Sequence, residues 1–515
     1  MCLDGTRVSL LERFHRWIHG GDAGANARVL LAIGQAGVGK SAIAHSIANE
    51  YARMGRLGAT FCFSKDKGAG NLFRTIARNL ADIDPVYASV LSSSTISSEM
   101  ATSTSLEIQM KLLLLIPFQR LSAIGPVVIV LDALDECMER SQLIDCLIKN
   151  IDSLPDNIRL VVTSRPSEAH RLREQPWVTV LNLEDEPPSD EDILLYVQKR
   201  LNLQMSGPAT LHGLKERDLR DIASHSEGLF QYASVVCSEI LSSYFYEWPS
   251  GERETPKQTF IRLVKDRKGG LDMLYSGVLE KLYPSTMADS QGLQDFRSVM
   301  SWILAAQERL THKALVEFGH SLDDSHVDDL GGYNRVSMTL RPLGALFSGT
   351  QEGSTIVYPL HSSIRNYLTD ECRSGRFYIG SENAQHYSLA SISLRLLVAP
   401  GRLRFNIAGL ENSYLYNKHV SDFEARVSSA VSASLSYSCR YWAEHLRLSL
   451  TSPAEFERLA DIGTLMNEKF LFWLEVLGLL GKTSFAEDAC QMLILWLTVR
   501  PESPFLSHSG TNVHC

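Results

Sequence analysis

A glycine-rich stretch near the N-terminus has the residue types that bind phosphate. It reads Gly34-Gln35-Ala36-Gly37-Val38-Gly39-Lys40-Ser41-Ala42 and directly follows the apolar run at residues 29–33. Glycines let successive backbone N–H groups face phosphate oxygens, and the N-terminus of the following helix adds a favourable partial charge. Lys40 is expected to reach the β- and γ-phosphates, and the Ser41 hydroxyl to ligate Mg²⁺. This stretch, as far as Ala42, therefore predicts a nucleotide-binding P-loop.

Acidic residues that could complete such a site follow a second apolar run. Residues 127–131 are followed by Asp132, and then by Asp135 and Glu136. Asp132, at the end of a buried strand, is placed to hold the water shell of Mg²⁺. Asp135 or Glu136 could orient or deprotonate an attacking water. Acids after a strand also commonly cap the next helix, but their position downstream of a P-loop favours the catalytic interpretation.

An arginine follows a third apolar run. Residues 158–163 lead into Ser164-Arg165-Pro166, and Arg165 could touch the γ-phosphate at the edge of a sheet. The alternative is a solvated arginine at the start of a loop. The Asn-Lys-x-Asp string that reads guanine is missing, since Asn417-Lys418-His419-Val420 lacks the acid. The chain is therefore expected to use ATP or ADP rather than GTP.

The pattern of apolar runs predicts the elements that position these residues. Five short runs, each typical of a buried strand, alternate with helical patterns: 29–33, 58–63, 126–131, 158–163 and 178–183. This alternation predicts an α/β fold with a parallel five-stranded sheet. The helical segments are expected at 6–19, 72–80, 106–121 (interrupted by Pro117) and 141–151. Ser189 and Asp192 predict a capping box for a further helix over residues 190–201.

Composition limits the class of protein. The chain has 515 residues, of which 44% are hydrophobic and 21% charged, and a net charge of −9. These values are typical of a globular protein of several domains without the basic field that attracts nucleic acid. No apolar run is long enough to span a membrane, and the N-terminus lacks the layout of a secretory signal. Nine cysteines without a C-x-x-C pair favour reduced thiols and a cytoplasmic location.

The same sequence patterns predict that the chain has five parts. Residues 1–25 form a leading helix and linker, and 26–186 the α/β domain. Residues 187–258 are expected to be a helical lid domain, 259–380 a winged-helix-like domain with a hairpin near residues 345–358, and 381–515 a helical C-terminal region. The Ser/Thr-rich stretch at 92–105 is expected to be a surface loop.

The motifs together resemble those of the NACHT module, found in the STAND class of P-loop NTPases and in fungal NOD-like receptor-type proteins. The resemblance rests on the P-loop, on Asp132-Ala-Leu-Asp-Glu136 and on Thr163-Ser-Arg-Pro166. Further strings agree with it: Cys2-Leu-Asp-Gly-Thr-Arg7, Glu227-Gly-Leu-Phe230, Pro359-Leu-His361-Ser-Ser-Ile-Arg365, Cys439-Arg-Tyr-Trp442 and Phe470-Leu-Phe-Trp473. It implies an ASCE-type sheet followed by helical and winged-helix domains.

The resemblance also implies a function. Such proteins are switches in which ADP holds the domains closed, and exchange for ATP opens them and permits self-association. His361 matches the winged-helix histidine that reaches the β-phosphate of ADP, although a histidine beside apolar residues is also commonly a core residue. Gly228-Leu-Phe replaces the Gly-Leu-Pro of related switches, which leaves the adenine contact open. The effector domain and sensing repeats that the resemblance implies are not recognisable, so the chain is expected to be a fragment, a truncated gene product or a stand-alone switch.

Three function classes follow. The first is a cytoplasmic signalling switch that binds ATP or ADP with Mg²⁺, hydrolyses ATP slowly, self-associates on activation and acts on unknown protein partners in innate-immunity or heterokaryon-incompatibility signalling. The second is a non-catalytic scaffold in which nucleotide is only a structural ligand. The third, an ATPase that remodels nucleic acid, is disfavoured by the acidic charge balance.

Overall fold

The computed structural model describes residues 1–21, 27–64, 68–92, 105–120, 125–204, 213–245, 254–266, 269–284, 291–321, 335–351, 353, 355–411, 414, 416–451 and 456–498. The chain divides into two compact units, Met1–Leu271 and Asp272–Cys515. The predicted surface loop at 92–105 lies almost entirely outside the described residues.

The first unit is built on a parallel five-stranded sheet, as predicted. Its strands are β1 (Val29–Ile33), β2 (Leu57–Cys62), β3 (Val127–Asp132), β4 (Ile158–Ser164) and β5 (Val178–Asn182). Their spatial order is β2-β3-β4-β1-β5, and every neighbouring pair is parallel. β4 thus lies between the P-loop strand β1 and the acidic strand β3, an order that fits a P-loop NTPase of the ASCE type. Since all five strands run the same way, their carboxyl ends share one edge of the sheet.

Helices cover both faces of this sheet. On one face lie α1 (Val8–Ile18) and α2 (Lys40–Arg53), whose apolar residues share a core with the alternate positions of β1. On the other face lie α3 (Leu72–Ile83), α4 (Pro85–Leu91), α5 (residues 106–118) and α6 (Arg140–Asn150). The short α7 (His170–Arg173) precedes β5. Burial on both faces explains why β1 and β3 consist of apolar residues up to the acidic end of β3.

One sequence prediction about α5 is wrong. Pro117 does not interrupt the helix, which continues from Leu106 to Phe118 through a π-helical segment, Lys111–Leu115. Proline lacks the N–H that would bond the carbonyl four residues earlier, which is that of Leu113. The hydroxyl of the buried Tyr87 donates to this carbonyl instead. A bond from α4 therefore allows the proline to lie within the helix.

In the described part of the chain after β5, the first unit continues with helices that we call the helical subdomain: α8 (Asp190–Gln204), α9 (Glu216–His225), α10 (Phe230–Phe245) and α11 (residues 256–265). The predicted capping box of α8 is confirmed. The Ser189 hydroxyl accepts the backbone N–H of Asp192 at 3.1 Å, and the Asp192 carboxylate accepts that of Ser189 at 3.2 Å.

The second unit is mainly helical. Most of α12 (Leu271–Leu282) belongs to it, and the α-helices that follow in the described ranges are α13 (Gln291–Ala305), α14 (His312–His320), α15 (Arg335–Leu340), α16 (Ser362–Leu368), α17 (Glu371–Ser374), α18 (Glu382–Val398), α19 (Phe423–Ala430), α20 (Ala433–Leu448), α21 (residues 459–479) and α22 (Ser484–Thr498). The predicted hairpin is formed by β6 (Phe347–Ser348) and β7 (Tyr358–Pro359), which pair antiparallel. The winged-helix assignment of residues 259–380 stays a prediction, as does the five-part division.

Two absences predicted from the sequence can be compared with the structure. No helix in the described ranges is long and apolar enough to cross a membrane. Seven cysteines in the described ranges are free thiols.

Candidate nucleotide-binding site

The P-loop joins β1 to α2 at the carboxyl edge of the sheet. Gly37 and Gly39 have φ angles of 94° and 95°, in the region that favours glycine, and Gly39 caps the N-terminus of α2. A Cβ atom at Gly37 would also lie 3.2 Å from the Cβ of Gln231. Both glycines are therefore required by the backbone, and the loop has the turn that a phosphate cradle needs.

Lys40 points back across the mouth of this loop. Its Nζ donates to the carbonyl oxygens of Gly34 at 2.7 Å and Gln35 at 2.9 Å. Burial lowers the pKa of the Lys40 ammonium, and the charge of Arg165 lowers it further. The carboxylates of Asp135, Asp132 and Glu136 act in the opposite direction. The structure thus brings Lys40 close to all four charged residues that the sequence assigned to the site.

Asp132 is the most deeply buried of these. It is 1% exposed at the end of β3, and its Oδ1 accepts a hydrogen bond from the hydroxyl of Thr163, 2.5 Å away on β4. The Cys62 thiol lies 3.7 Å from Oδ2. Thr163 also accepts the N–H of Ala133 at 2.9 Å, and Ala133 has a φ of 59°. The threonine therefore orients the carboxylate and stabilises the left-handed turn that follows it.

Asp135 and Glu136 lie in a 3-10 turn, Leu134–Glu136, and differ in their partners. The Oδ2 of Asp135 forms an ion pair with Nε of Arg165 at 2.9 Å, and only 7% of the Asp135 side chain is exposed. Its Oδ1 is buried without a hydrogen-bond partner in the described chain. Glu136 is half-buried. Arg165 is therefore tied to Asp135, which argues against a merely solvated arginine.

The helical subdomain packs against the P-loop. Glu227 and Gly228 both adopt positive φ angles, 46° and 77°, and turn the chain beside Pro187 and Pro188 into α10. A Cβ added to Gly37 would lie 3.7 Å from a methyl of Leu229, and one on Gly39 would lie 3.9 Å from the ring of Phe230. The Glu227-Gly-Leu-Phe230 string, which the sequence identified only by resemblance, thus lies directly over the loop.

Two further residues that hold the P-loop were not recognised from the sequence. The backbone N–H of Gln35 donates to Oε1 of Glu184 at 2.9 Å. A guanidinium nitrogen of Arg7 donates to the carbonyl of Val38 at 3.2 Å. Glu184 and Arg7 lie 149 and 31 residues away from these partners, so neither contact has a local sequence signal. The Thr163 contact likewise depends on which strands are neighbours.

The oxygen donors at this edge suit Mg²⁺. The Ser41 hydroxyl, on the exposed first turn of α2, and the Asp132 carboxylate are hard ligands of the kind that Mg²⁺ prefers. The unpartnered Oδ1 of Asp135 adds a buried acceptor nearby. No group of three or more His, Cys, Asp or Glu side chains in the described ranges could hold a metal by itself. A bound Mg²⁺ would therefore need phosphate oxygens and water in addition.

His361 belongs to the second unit. It is the N-cap of α16, where its Nδ1 accepts the backbone N–H of Ser363 at 3.1 Å. This bond gives the histidine a local structural role. Its predicted contact with a nucleotide stays a prediction.

Comparisons with known proteins agree with this site. A family model described as "Nephrocystin 3, N-terminal" matches residues 5–165, which include the P-loop, Asp132 and Arg165. The Vegetative incompatibility protein HET-E-1 of Podospora anserina is 24% identical over 398 residues, 72% of this chain. The chain is similar to the fungal NACHT-type NOD-like receptors. The resemblance inferred from the motifs is thus confirmed at this level.

Two values describe how far these similarities extend. The region matched to the NACHT-type relative HET-E-1 covers 27% of that protein's length. A solved structure titled "Structure of Drosophila ORC bound to DNA" matches 74% of this chain and 86% of its own, with 14% identity and a TM-score of 0.33. Because this TM-score is low, nothing about the fold or function of this chain is inferred from the ORC structure.

Proposed function

We propose that this NACHT-type chain is a cytoplasmic signalling NTPase that binds ATP or ADP with Mg²⁺ and uses exchange and slow hydrolysis as a conformational switch. The observation that carries the proposal is the meeting of Lys40 with Asp132, Asp135, Glu136 and Arg165 at the carboxyl edge of one sheet. In this account the P-loop amides and Lys40 hold the phosphates, and Ser41 and Asp132 hold the cation. The similarity to HET-E-1 supports a role in incompatibility-type signalling, with self-association on activation.

The two acidic residues after β3 have different roles in this proposal. Asp135 is engaged by Arg165 at 2.9 Å, so it positions the arginine, which reports on the γ-phosphate. Glu136 then orients or deprotonates the attacking water. His361 contributes to the grip on ADP, as the resemblance implies.

Phosphate release tests the catalytic part of the proposal. We expect Glu136→Gln to release phosphate from ATP roughly 100-fold more slowly than the wild type in single-turnover assays, because a positioned base contributes about that much. ADP affinity should stay at the wild-type value, since Glu136 is not assigned to the phosphate cradle. Glu107→Gln, in an exposed ion pair with Lys149, is a matched control that should leave the rate unchanged.

The same assay separates the switch from a non-catalytic scaffold. Equal rates of phosphate release by the wild type and Glu136→Gln would favour the scaffold. Nucleotide would then be a structural ligand only. Sedimentation of the wild type with ADP and with a non-hydrolysable ATP analogue checks whether the nucleotide state controls self-association.

A further inference from the structure

We propose that Arg7 is a positioning residue that orients one peptide of the P-loop toward phosphate and ties that peptide to the start of the helical subdomain. The first part deepens the proposed nucleotide site and rests on it. The second part concerns the free protein. Arg7 belongs to the N-terminal string Cys2-Leu-Asp-Gly-Thr-Arg7, to which the proposed function assigns no role.

Arg7 lies buried where three segments meet. It is 4% exposed and stands at the N-cap of α1. Its guanidinium donates to the carbonyls of Val38 in the P-loop and of Glu186, just after β5. Its backbone N–H donates to Oδ1 of Asp192, in the first turn of α8, at 3.0 Å. One residue therefore contacts the P-loop, the connection to the helical subdomain and the first helix of that subdomain.

The segment around Arg7 is itself fixed. The N–H of Cys2 donates to the hydroxyl of Ser46 on α2 at 2.8 Å. The Lys199 ammonium on α8 donates to the carbonyl of Asp4 at 2.9 Å. Gly5 has a φ of 89°, and a Cβ there would lie 3.3 Å from a methyl of Leu195. The string is therefore packed between the helix after the P-loop and the first helix of the subdomain.

Peptide geometry links the Arg7 contact to phosphate binding. In a trans peptide the C=O and the following N–H point in opposite directions. Since Arg7 holds the carbonyl of Val38 on its own side of the loop, the N–H of Gly39 faces the other side. A cradle needs such N–H groups turned toward phosphate oxygens.

The peptide at the other end of the loop is also held by side chains, in this case at both its carbonyl and its N–H. The carbonyl of Gly34 accepts the Lys40 ammonium at 2.7 Å, while the N–H of Gln35, in the same peptide, donates to Glu184 at 2.9 Å. Two side chains outside the P-loop, Arg7 and Glu184, thus each hold one of its peptides. Both contacts involve the region that leads into α8, so loop conformation and subdomain position are coupled.

Only arginine can make the Arg7 contacts. Its planar fork presents separate donors to two carbonyls from different segments, whereas a lysine ammonium is a single point. Its Nε is buried without a hydrogen-bond partner in the described chain. A buried cation with an unpaired N–H donor lowers the stability of the fold. Such a residue is more typically functional than stabilising.

Hydrogen exchange of Arg7→Lys in the free protein tests the coupling. We expect amide exchange to become roughly 10-fold faster both in residues 34–41 and in residues 186–195, because one charge-assisted bond is lost from each segment. Exchange in the core of α6, residues 143–147, should not change. General destabilisation would instead accelerate exchange everywhere. Arg13→Lys is the matched control, since Arg13 also lies on α1 but pairs with the exposed side chain of Glu186.

Calorimetry with ADP tests the effect on phosphate binding. Arg7→Lys should bind ADP roughly 10-fold more weakly or worse, and Arg13→Lys as tightly as the wild type. Unchanged exchange at residues 34–41, or wild-type ADP affinity of Arg7→Lys, would overturn the role of Arg7. If the wild type itself does not bind ADP, the nucleotide proposal fails, while the exchange result still decides whether Arg7 couples the two segments.

Discussion

The orientation of the Asp132 carboxylate depends on a neighbouring side chain. A buried carboxylate needs hydrogen-bond partners that fix its orientation. Thr163 supplies such a bond at 2.5 Å and is itself fully buried on β4. The other oxygen of Asp132 has a weak thiol contact, which leaves it capacity for the water shell of a cation.

Replacement of Thr163 is expected to weaken cation-dependent binding selectively. Thr163→Val keeps the volume but removes the hydroxyl, so we expect the Mg²⁺-dependent part of ADP affinity to fall roughly 10-fold to 100-fold. Binding of ADP in EDTA should change little. Thr163→Ser restores the donor and serves as the control. Equal Mg²⁺ dependence of Thr163→Val and wild type in calorimetric titrations would rule out this role for the threonine.

At the residue scale, the sequence predicted the charged residues of the site but not the contacts that hold the site together. Asp132, Asp135, Glu136 and Arg165 could be assigned because each follows an apolar run that had to be a parallel strand. The residues that hold Asp132 and the P-loop could not be assigned, since Thr163, Glu184 and Arg7 act through contacts between segments far apart in the chain. Only the order of the strands and the path of the N-terminal string bring these pairs together.

At the scale of elements, burial decided which predictions succeeded. The five strands lie within two residues of the predicted ranges. β1, β3 and β4 are buried almost throughout, and their apolar runs have clear boundaries. The prediction at Pro117 was wrong because a hydrogen bond from another helix accommodates the proline. The Tyr87 hydroxyl donates this bond to the carbonyl of Leu113. The hairpin β6–β7 was expected from its glycine-rich turn, and the structure places β7 at Tyr358–Pro359.

The packing of α18 against α20 contains a proton-sensitive pair. Nδ1 of His386 lies 2.8 Å from Nδ1 of His445, and both rings are buried. The N–H of Gln307 donates to the Tyr437 hydroxyl, which can donate in turn to Nε2 of His445 at 2.7 Å. In this chain of bonds His445 is neutral and donates to His386. A second proton on His445, at Nε2, would oppose the hydrogen bond that the Tyr437 hydroxyl donates to this nitrogen.

Stability is therefore expected to fall in mild acid. Burial, with a smaller contribution from His386, lowers the pKa of His445 from its ordinary value of 6.5 to about 3. Between these values the unfolded chain binds the extra proton, so stability is full above pH 6.5 and declines as pH falls toward 3. At pH 5 this amounts to a loss of about 2 kcal/mol. Denaturant unfolding between pH 5 and pH 7.5 measures it.

Two variants check the origin of this pH dependence. His445→Gln should show a smaller decline in unfolding free energy over the same range, whatever its stability at pH 7.5. His320→Gln, at the exposed end of α14 in the same unit, should decline like the wild type. If His445→Gln declines as steeply as the wild type, the buried pair is not the source.

At the scale of the whole molecule, the two units carry different parts of the proposal. The first unit holds the complete set of P-loop, acidic and arginine residues together with the helical subdomain that covers the loop. The second unit holds His361 and the helices that are expected to respond to the nucleotide state. The match to HET-E-1 spans 27% of that protein. The activity and partners of a whole receptor are therefore proposed for this chain and do not follow from the match.

Nucleotide binding by the purified chain tests the central claim most directly. Calorimetry should detect ADP binding near one site per chain in the wild type. Lys40→Ala should lose that binding, because no other ammonium is assigned to the phosphates, and it should still unfold cooperatively. Lys149→Ala, which removes an exposed lysine far along the chain, should bind like the wild type. An Lys40→Ala variant that binds ADP with wild-type affinity would contradict the account.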